Sequence, residues 1–212
     1  QPSLDANAQE LINWYPIIDQ VQGRNEVFLY PRPGLNLAVD LETNEPVQFF
    51  ITNGEYGYAV SGGGFYKLTI SEDRKTFTKT LVGSIDIPEE SNVVGCFNSS
   101  NQLFFSDTDY GYVYNTSTGV LAAISDTDFR GAISATYMDG YIFYVPEDSN
   151  QVNSSEIDDA TDFDALDVTT FNARADKNRA VVTNRRDLWI IGTDSAEIWY
   201  DAGNTDFPFS RR

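Results

Sequence analysis

The chain has 212 residues, with 32 Asp and Glu against 14 Lys and Arg, so its formal net charge is -18. Sequence-independent nucleic-acid binding replaces counterions with Lys and Arg, so this charge makes the chain a poor candidate for gripping DNA directly. The chain has no histidine and one cysteine, which removes Ser/His/Asp and Cys/His catalytic arrangements, most transition-metal sites and any internal disulfide.

Most of the negative charge lies between Lys79 and Arg174. This stretch carries sixteen acidic residues and one basic residue, Arg130. The ordinary interpretation of such a charge is solubility, and the alternative is a surface that repels phosphate.

The chain contains no run of about eighteen apolar residues, which argues against a transmembrane helix. Its start, from Gln1 to Glu10, lacks the basic and apolar regions of a signal peptide. We therefore expect a protein that folds in a cytoplasm and has no membrane partner.

Four segments repeat one order of features along the chain: a β-rich run, a tight turn, a second apolar run, a polar loop and a third run rich in Tyr or Ile. They lie near residues 47–85, 92–124, 133–171 and 180–212, after an N-terminal arm of residues 1–46. The equivalent apolar positions in the four units are Tyr58, Leu103, Ile142 and Trp189. These positions are 45, 39 and 47 residues apart, a period typical of propeller blades with four antiparallel strands.

This repeat predicts an all-β chain that forms one β-propeller domain over residues 1–212, closed or partial, with four blade-like units of about 44 residues. The continuous apolar run 188–191 indicates strands covered on both faces. A β-sandwich with the same number of strands is the alternative fold. The fourth unit ends before its outer strand, so either Glu26–Tyr30 closes it or the chain continues. The end blades of a partial ring would expose apolar faces that invite association.

Two near-duplicate loops, Ser106–Gly111 and Ser125–Gly131, carry alternating aspartates: Asp107, Asp109, Asp126 and Asp128. Carboxylates in this pattern could coordinate Ca²⁺. Asp and Ser also hydrogen-bond their own backbone in turns, and neither loop has the ligand spacing of an EF-hand. We therefore expect turns without a metal ion, and no cofactor.

The remaining chemistry for an enzyme is paired carboxylates, most densely from Glu156 to Asp167. The arginines are scattered rather than clustered, and Cys96 has no base to activate it, so we expect no enzymatic activity. The alternative is a carbohydrate-binding or glycan-hydrolysing β-propeller that recognises a cell surface. Such a protein could stack sugars on Trp14, Trp189 and Trp199, although aromatic residues in strands more often form core and cross-strand pairs.

Several strings of the sequence are strand and turn signatures that recur together in one family. They are Asn13-Trp-Tyr-Pro16, Pro33-Gly-Leu35, Leu121 to Tyr141, Asp164-Ala-Leu-Asp167, Arg186-Asp-Leu-Trp-Ile-Ile-Gly192, Glu197-Ile-Trp-Tyr200, Gly203 and Asp206-Phe-Pro-Phe209. In these strings the chain resembles the packaged-DNA stabilisation proteins of short-tailed phages, which are also called tail hub or tail accessory factors. The resemblance spans most of the length of the chain.

The resemblance implies a structural virion protein rather than an enzyme. Such a hub or adaptor assembles as a homo-oligomeric ring below the portal, contacts other tail and portal-adaptor proteins, and plugs or extends the DNA exit channel. It would reside in the virion tail, and in the host cytoplasm during assembly, without specific DNA binding. The residues agree in one respect, because a carboxylate-rich wall would repel a sliding duplex where Lys and Arg would trap it.

Overall fold

The computed structural model describes residues 14–21, 24–31, 37–72, 76–170, 176–204 and 207–212. These residues form eighteen β-strands and, within the same ranges, no helix. A search of them for a helix able to cross a membrane finds none. The chain divides into two compact units, Gln1–Ala38 and Val39–Arg212.

The first unit contains one antiparallel hairpin, formed by β1 (Trp14–Val21) and β2 (Arg24–Pro31). The two strands pair along their whole length, from Trp14 opposite Pro31 to Val21 opposite Arg24. The segment Glu26–Tyr30 that the sequence offered as an outer strand for the fourth unit therefore pairs locally with β1 instead.

The second unit contains four four-stranded antiparallel sheets, each built from consecutive strands. Blade 1 comprises β3 (Val47–Asn53), β4 (Tyr56–Ser61), β5 (Gly64–Ile70) and β6 (Phe77–Ser84). Blade 2 comprises β7 (Val94–Phe97), β8 (Gln102–Ser106), β9 (Gly111–Asn115) and β10 (Val120–Ala123). Blade 3 comprises β11 (Ser134–Met138), β12 (Tyr141–Val145), β13 (Gln151–Glu156) and β14 (Asp159–Thr170). Blade 4 comprises β15 (Asn178–Asn184), β16 (Asp187–Gly192), β17 (Ala196–Asp201) and β18 (Phe209–Arg211).

The hairpin between β11 and β12 shows how local sequence fixes the register. Met138 pairs with Tyr141, and the two residues between them, Asp139 and Gly140, have φ values of 50° and 98°. A two-residue hairpin turn with positive φ at both positions is the type whose twist matches that of the strands, and Asp-Gly is among its preferred sequences.

The blades pack face to face through three apolar cores. The inner strands β3, β7, β11 and β15 contact one another in that order. Phe65 of blade 1 stacks on Phe105 of blade 2 at a centroid distance of 4.7 Å, and Phe143 of blade 3 meets Phe209 of blade 4 at 4.8 Å. Four blades with three interfaces make an open propeller, because inner-strand residues of both end blades, Phe50 and Val182, are about half exposed.

The packing of blade 2 distinguishes this architecture from a β-sandwich. On β8, Leu103 and Phe105 belong to the core shared with blade 1, whereas Phe104 belongs to the core shared with blade 3. A sheet in a two-layer sandwich buries one face, whereas this sheet buries both. The predicted all-β propeller with four blade-like units is therefore confirmed.

Candidate functional site: the carboxylate end of the blades

The antiparallel order of the strands places the loops of each blade at alternate ends. The loop between the second and third strands lies at the same end as the link to the next blade, and the remaining two turns lie at the opposite end. One hydrogen bond at an equivalent place joins each of the three links to the loop of the preceding blade. These bonds are Ile85 N to Gly63 O at 2.9 Å, Ala132 N to Asp107 O at 2.6 Å, and Asn178 N to Ser149 O at 2.8 Å.

The end that holds these loops and links is rich in carboxylates, and we call it the carboxylate end. The described acidic residues of these loops and of the links between blades are Asp86, Glu89, Glu90, Asp107, Asp109, Asp126, Asp128, Glu147, Asp148, Asp176 and Asp194. All but Asp107 reach solvent. The described basic residues in or next to these loops are Arg130, Lys177 and Arg179. Eleven carboxylates against three cations give this end a negative potential.

Two of the basic side chains at the carboxylate end, Lys177 and Arg130, have polar partners on the protein. Lys177 Nζ lies 2.8 Å from Asp148 Oδ1, and this hydrogen bond lowers the pKa of the Asp148 carboxyl. Arg130 donates from Nη1 to Gln151 Oε1 at 2.9 Å. Because the Lys177–Asp148 pair is exposed, solvent screens the attraction between the two groups and the pair contributes little to stability. It cancels one of the eleven carboxylate charges, so the end stays negative.

The first aspartate loop uses its buried carboxylate to hold the backbone. Asp107 Oδ1 accepts hydrogen bonds from the backbone N–H groups of Asp109 at 2.9 Å and Tyr110 at 2.6 Å. Asp107 Oδ2 is buried without a hydrogen-bond partner in the protein, and Asp109 is exposed. The Ser106 hydroxyl donates to the carbonyl oxygens of Asp107 at 2.7 Å and Tyr110 at 2.8 Å.

In the second aspartate loop, a carboxylate again accepts hydrogen bonds from backbone N–H groups. Asp126 Oδ1 accepts from Asp128 N at 2.9 Å, and Asp126 Oδ2 accepts from Phe163 N at 3.1 Å, which joins the loop to β14. The two loops meet where Gly131 passes close to the carbonyl of Thr108. In the part of the chain that the structure describes, no three Asp, Glu or Cys side chains are grouped closely enough to hold a metal ion.

Cys96 lies on β7 and packs against the core between blades 2 and 3. Burial raises the pKa of its thiol to about 12. At neutral pH the thiol is therefore protonated, which is the state of a structural cysteine rather than of a nucleophile.

The tryptophans with described side chains are not brought together. Trp189 pairs with Ile198 and Trp199 pairs with Leu188, so the two indoles lie on opposite faces of blade 4. Trp199 is buried in the core with blade 3, where its Nε1 donates to Glu197 Oε2 at 2.9 Å. The side chain of Trp14 lies outside the described residues. A sugar-stacking platform formed by Trp189 with Trp199 is therefore absent.

One residue of the carboxylate end was missed by sequence reasoning. Asp176 Oδ2 accepts from Asp194 N at 2.8 Å and from Ser195 N at 3.2 Å, and these bonds lower the pKa of the Asp176 carboxyl. Asp176, which lies in the link between blades 3 and 4, thus holds the backbone of the loop between β16 and β17. An isolated aspartate before a strand carries no sequence signal for such a contact.

Comparison with models of protein families gives a match over almost the whole chain. The family model for phage stabilisation, described as "Bacteriophage P22 Gp10, beta-propeller", matches residues 3–212. A comparison with curated proteins found none that matches.

Solved structures share the fold at low sequence identity. The computationally designed Ika4 protein is 12% identical with a TM-score of 0.56, over 79% of this chain and 99% of that one. A chain of the Mitotic Checkpoint Complex is 7% identical with a TM-score of 0.55, over 94% of this chain and 59% of that one. The extracellular domain of a putative hybrid two-component system from B. thetaiotaomicron is 11% identical with a TM-score of 0.54, over 83% of this chain and 22% of that one. At these identities the likeness shows the fold alone.

Proposed function

This chain belongs to the phage stabilisation family of Bacteriophage P22 Gp10, and from that membership we propose that it is a tail hub or adaptor of the virion. The family is one of phage structural proteins that stabilise DNA, so the chain is a structural protein of the virion. In the proposed role it closes or extends the DNA exit channel below the portal and thereby retains the packaged genome.

The observation that supports a place beside moving DNA is the charge of the carboxylate end. A duplex that leaves the capsid must slide past the tail proteins without being held. Phosphate contacts are made by Lys and Arg and release counterions, so a surface whose described loops and links carry eleven carboxylates and three cations offers repulsion rather than a trap.

The rest of the acidic stretch supports this role less directly. Asp162, Asp164 and Asp167 lie on β14, the outer strand of blade 3, and Asp158 lies in a turn at the opposite end. The repulsion argument therefore applies to the carboxylate end, and we propose that this end faces the channel.

The partners in this role are the other tail and portal-adaptor proteins, and several copies of the chain would form a ring around the channel. Assembly takes place in the host cytoplasm before the particle is released. In this proposal the protein has no specific DNA sequence to recognise, since phosphate repulsion acts on every sequence alike.

Charge reversal in phage particles tests the proposal. Particles carrying Asp128→Lys with Glu147→Lys should eject DNA several-fold more slowly than wild type, because two cations would hold phosphates in the channel. The matched control is Glu55→Lys with Glu156→Lys, which makes the same charge change at exposed positions at the opposite end of the blades. Ejection is followed by the fluorescence of a DNA dye.

The control should eject at the wild-type rate. Equal ejection rates for the two variants would remove the channel-facing assignment. Particles assembled without this protein should also lose their DNA to added nuclease, and full retention of DNA in such particles would remove the stabilising role itself.

A further inference from the structure

The turn between β3 and β4 carries the one asparagine of the chain that a glycine follows, Asn53-Gly54. Asn53 ends β3 and pairs with Tyr56 of β4, so two residues form the turn. Gly54 has a φ of 61°, and the residues from 53 to 56 are exposed. This turn lies at the end of the blades opposite the carboxylate end, so the proposed virion role makes no use of it.

An asparagine side chain can react with the backbone that follows it. The backbone nitrogen of the next residue attacks the side-chain carbonyl carbon, forms a five-membered imide and expels ammonia. Glycine at the next position favours this attack, because it has no Cβ to block the approach and its backbone is the least restricted. In a folded chain the reaction also requires a free side-chain amide, a free backbone N–H and room for the turn to rotate.

Asn53 and Gly54 meet these three requirements. Within the described residues, neither the Asn53 side chain nor the Gly54 N–H takes part in a hydrogen bond. A side chain on Gly54 would meet nothing within 4 Å, so the space around this glycine is open. A pocket of about 270 Å³ borders both residues and gives water access to them.

An asparagine at the same end of blade 2 shows the opposite arrangement. Asn115 Oδ1 accepts hydrogen bonds from the N–H groups of Ser117 and Thr118, both at 3.0 Å. The N–H that follows Asn115, that of Thr116, donates to the Asn101 carbonyl oxygen at 2.8 Å. At Asn115 the protein therefore holds both the carbonyl group that would be attacked and the nitrogen that would attack it.

The turn Asp139-Gly140 is the aspartate counterpart, which would form the same imide by losing water instead of ammonia. Gly140 is buried, and its carbonyl oxygen accepts a hydrogen bond from Asp158 N at 2.8 Å. A side chain on Gly140 would begin 2.7 Å from Ile157 Cγ1. The turn at Gly140 is thus packed against its neighbour, whereas the turn at Gly54 is open.

We propose that Asn53 is a site of spontaneous deamidation in the folded protein. A bond forms between Gly54 N and Asn53 Cγ, the Gly54 amide proton is lost, and the bond from Cγ to Nδ2 breaks as ammonia leaves. Water then opens the imide. Cleavage between Gly54 N and Cγ gives aspartate, and cleavage between Gly54 N and the backbone carbonyl carbon gives isoaspartate. The reaction transfers no electrons, and water is the co-reactant.

Each product changes the hairpin. Both add one negative charge beside the exposed Glu55, and isoaspartate also adds one carbon atom to the backbone at the turn. The pair of Asn53 with Tyr56 is the last of this hairpin, so the added carbon disrupts the end of the ladder and leaves the buried Tyr58 in place. The modified chain should therefore stay folded with a lowered melting temperature.

Peptide mapping of the purified full chain by mass spectrometry tests the proposal. During incubation for days at about pH 8, the peptide with Asn53 should gain about one mass unit at least about tenfold faster than peptides with the other described asparagines. An isoaspartate-specific methyltransferase should label the same peptide. An Asn53 peptide that keeps its mass, or that reacts only after the chain is unfolded in urea, overturns the proposal.

Two variants test the assignment of the reacting groups. Gly54→Ala should slow the reaction at Asn53 at least about tenfold, because a Cβ hinders the attacking nitrogen. Space is open around this position, so the added methyl group meets no neighbour. Asn53→Gln should remove the reaction, because its longer side chain would have to close a six-membered ring. An unchanged rate in either variant would mean that another group reacts.

Thr116→Gly is the matched control for the structural requirements. It places a glycine after Asn115, so that one chain contains the same dipeptide in a held turn and in an open turn. Asn115 should then deamidate at least about tenfold more slowly than Asn53, although the glycine is as unrestricted in both. Circular dichroism melting shows that the variant is folded. Equal rates at the two asparagines would overturn the assignment of the reaction to the open turn.

Discussion

At the scale of single residues, the aspartates of the carboxylate end do two kinds of work. Asp107 and Asp126 accept backbone N–H groups and fix their loops, whereas Asp109 and Asp128, two positions later, are exposed to solvent. In each loop the first aspartate therefore holds the backbone, and the second adds negative charge to the surface.

Replacing Asp107 by Ala should destabilise the fold by about 1–3 kcal/mol, because two backbone donors in part-buried hydrogen bonds would lose their acceptor. Asp107→Asn keeps an acceptor oxygen and should cost less. Asp109→Ala, in the same loop, should be within about 0.5 kcal/mol of wild type. Urea unfolding measures the free energy of unfolding of the three variants. An Asp107→Ala variant as stable as the wild type would contradict the turn-forming role of Asp107.

Calcium should have no effect on the same loops. At matched ionic strength the purified chain should melt at the same temperature in Ca²⁺ and in a chelator, because no three acidic or Cys side chains of the described residues are grouped to hold a metal ion. A cation bound only to the folded state would instead raise the melting temperature by mass action. Differential scanning calorimetry makes the comparison. A rise of several degrees with Ca²⁺ would make Asp107 Oδ2, which is buried and has no partner in the protein, the first candidate ligand.

Cys96 makes a contribution to folding stability that depends on pH. Its thiol has a pKa of about 12 in the folded chain and an ordinary value near 9 once unfolded. The protonated thiol is thus favoured by folding, and this contribution to stability is complete below pH 9 and is lost as the pH rises towards 12.

Reaction of Cys96 with a coloured disulfide reagent at pH 8 should be at least about a hundredfold slower in buffer than in denaturant, since the thiolate is the reactive form. Absorbance at fixed reagent concentration follows both rates. Comparable rates would mean that the thiol is accessible and ionised in the folded chain.

At the scale of elements, the junctions between blades depend on close contacts of the backbone. Gly119 and Gly131 both have positive φ, 74° and 70°, but their surroundings differ. A side chain on Gly131 would begin about 2 Å from the Thr108 carbonyl oxygen, whereas one on Gly119 would meet nothing within 4 Å.

Gly119→Ala should therefore cost about 1–2 kcal/mol, the conformational penalty of an L-residue at positive φ. Gly131→Ala should cost clearly more, because the backbones of two loops would also have to separate. The difference between the two free energies of unfolding isolates the contact at the blade 2 to blade 3 junction. Equal losses would show that the Gly131 loop can move aside freely.

Prediction from sequence succeeded for elements with a strong local pattern. Alternating apolar residues located the strands, and turns such as Asp139-Gly140 fixed the hairpins. It failed for β18, because a strand of three residues after Pro208 is too short to show a period. It also gave the segment Glu26–Tyr30 a distant partner, whereas pairing with β1 across a short turn closes a much smaller loop at lower entropic cost.

The carboxylate end was only partly predictable for a related reason. The sequence placed the aspartates in loops, but the end at which a loop lies depends on how many strands precede it. An error of one strand exchanges the two ends. The long β14, with its irregular register against β13, is the element at which such counting is least secure.

At the scale of the whole molecule, a charge of -18 acts against the compact state through self-repulsion. The melting temperature should therefore be several degrees higher in about 0.5 M NaCl than in about 0.02 M NaCl, because salt screens exposed carboxylates. Calorimetry at pH 7 in sodium acetate, whose anion differs in kind from chloride, serves as a control for specific ion effects. An unchanged melting temperature would show that the carboxylates are spaced widely enough not to repel.

The assembly of every sheet from neighbouring strands also bears on how the chain acquires its structure. Each blade is complete within its own stretch of sequence, and β18 finishes the last one without a strand from the N-terminal part. Hairpin-by-hairpin growth keeps sequence separations between partners small, which favours rapid folding for a β protein. During synthesis on the ribosome, blade 1 can take shape while blade 2 is still being translated, and each finished blade then offers a template for the next.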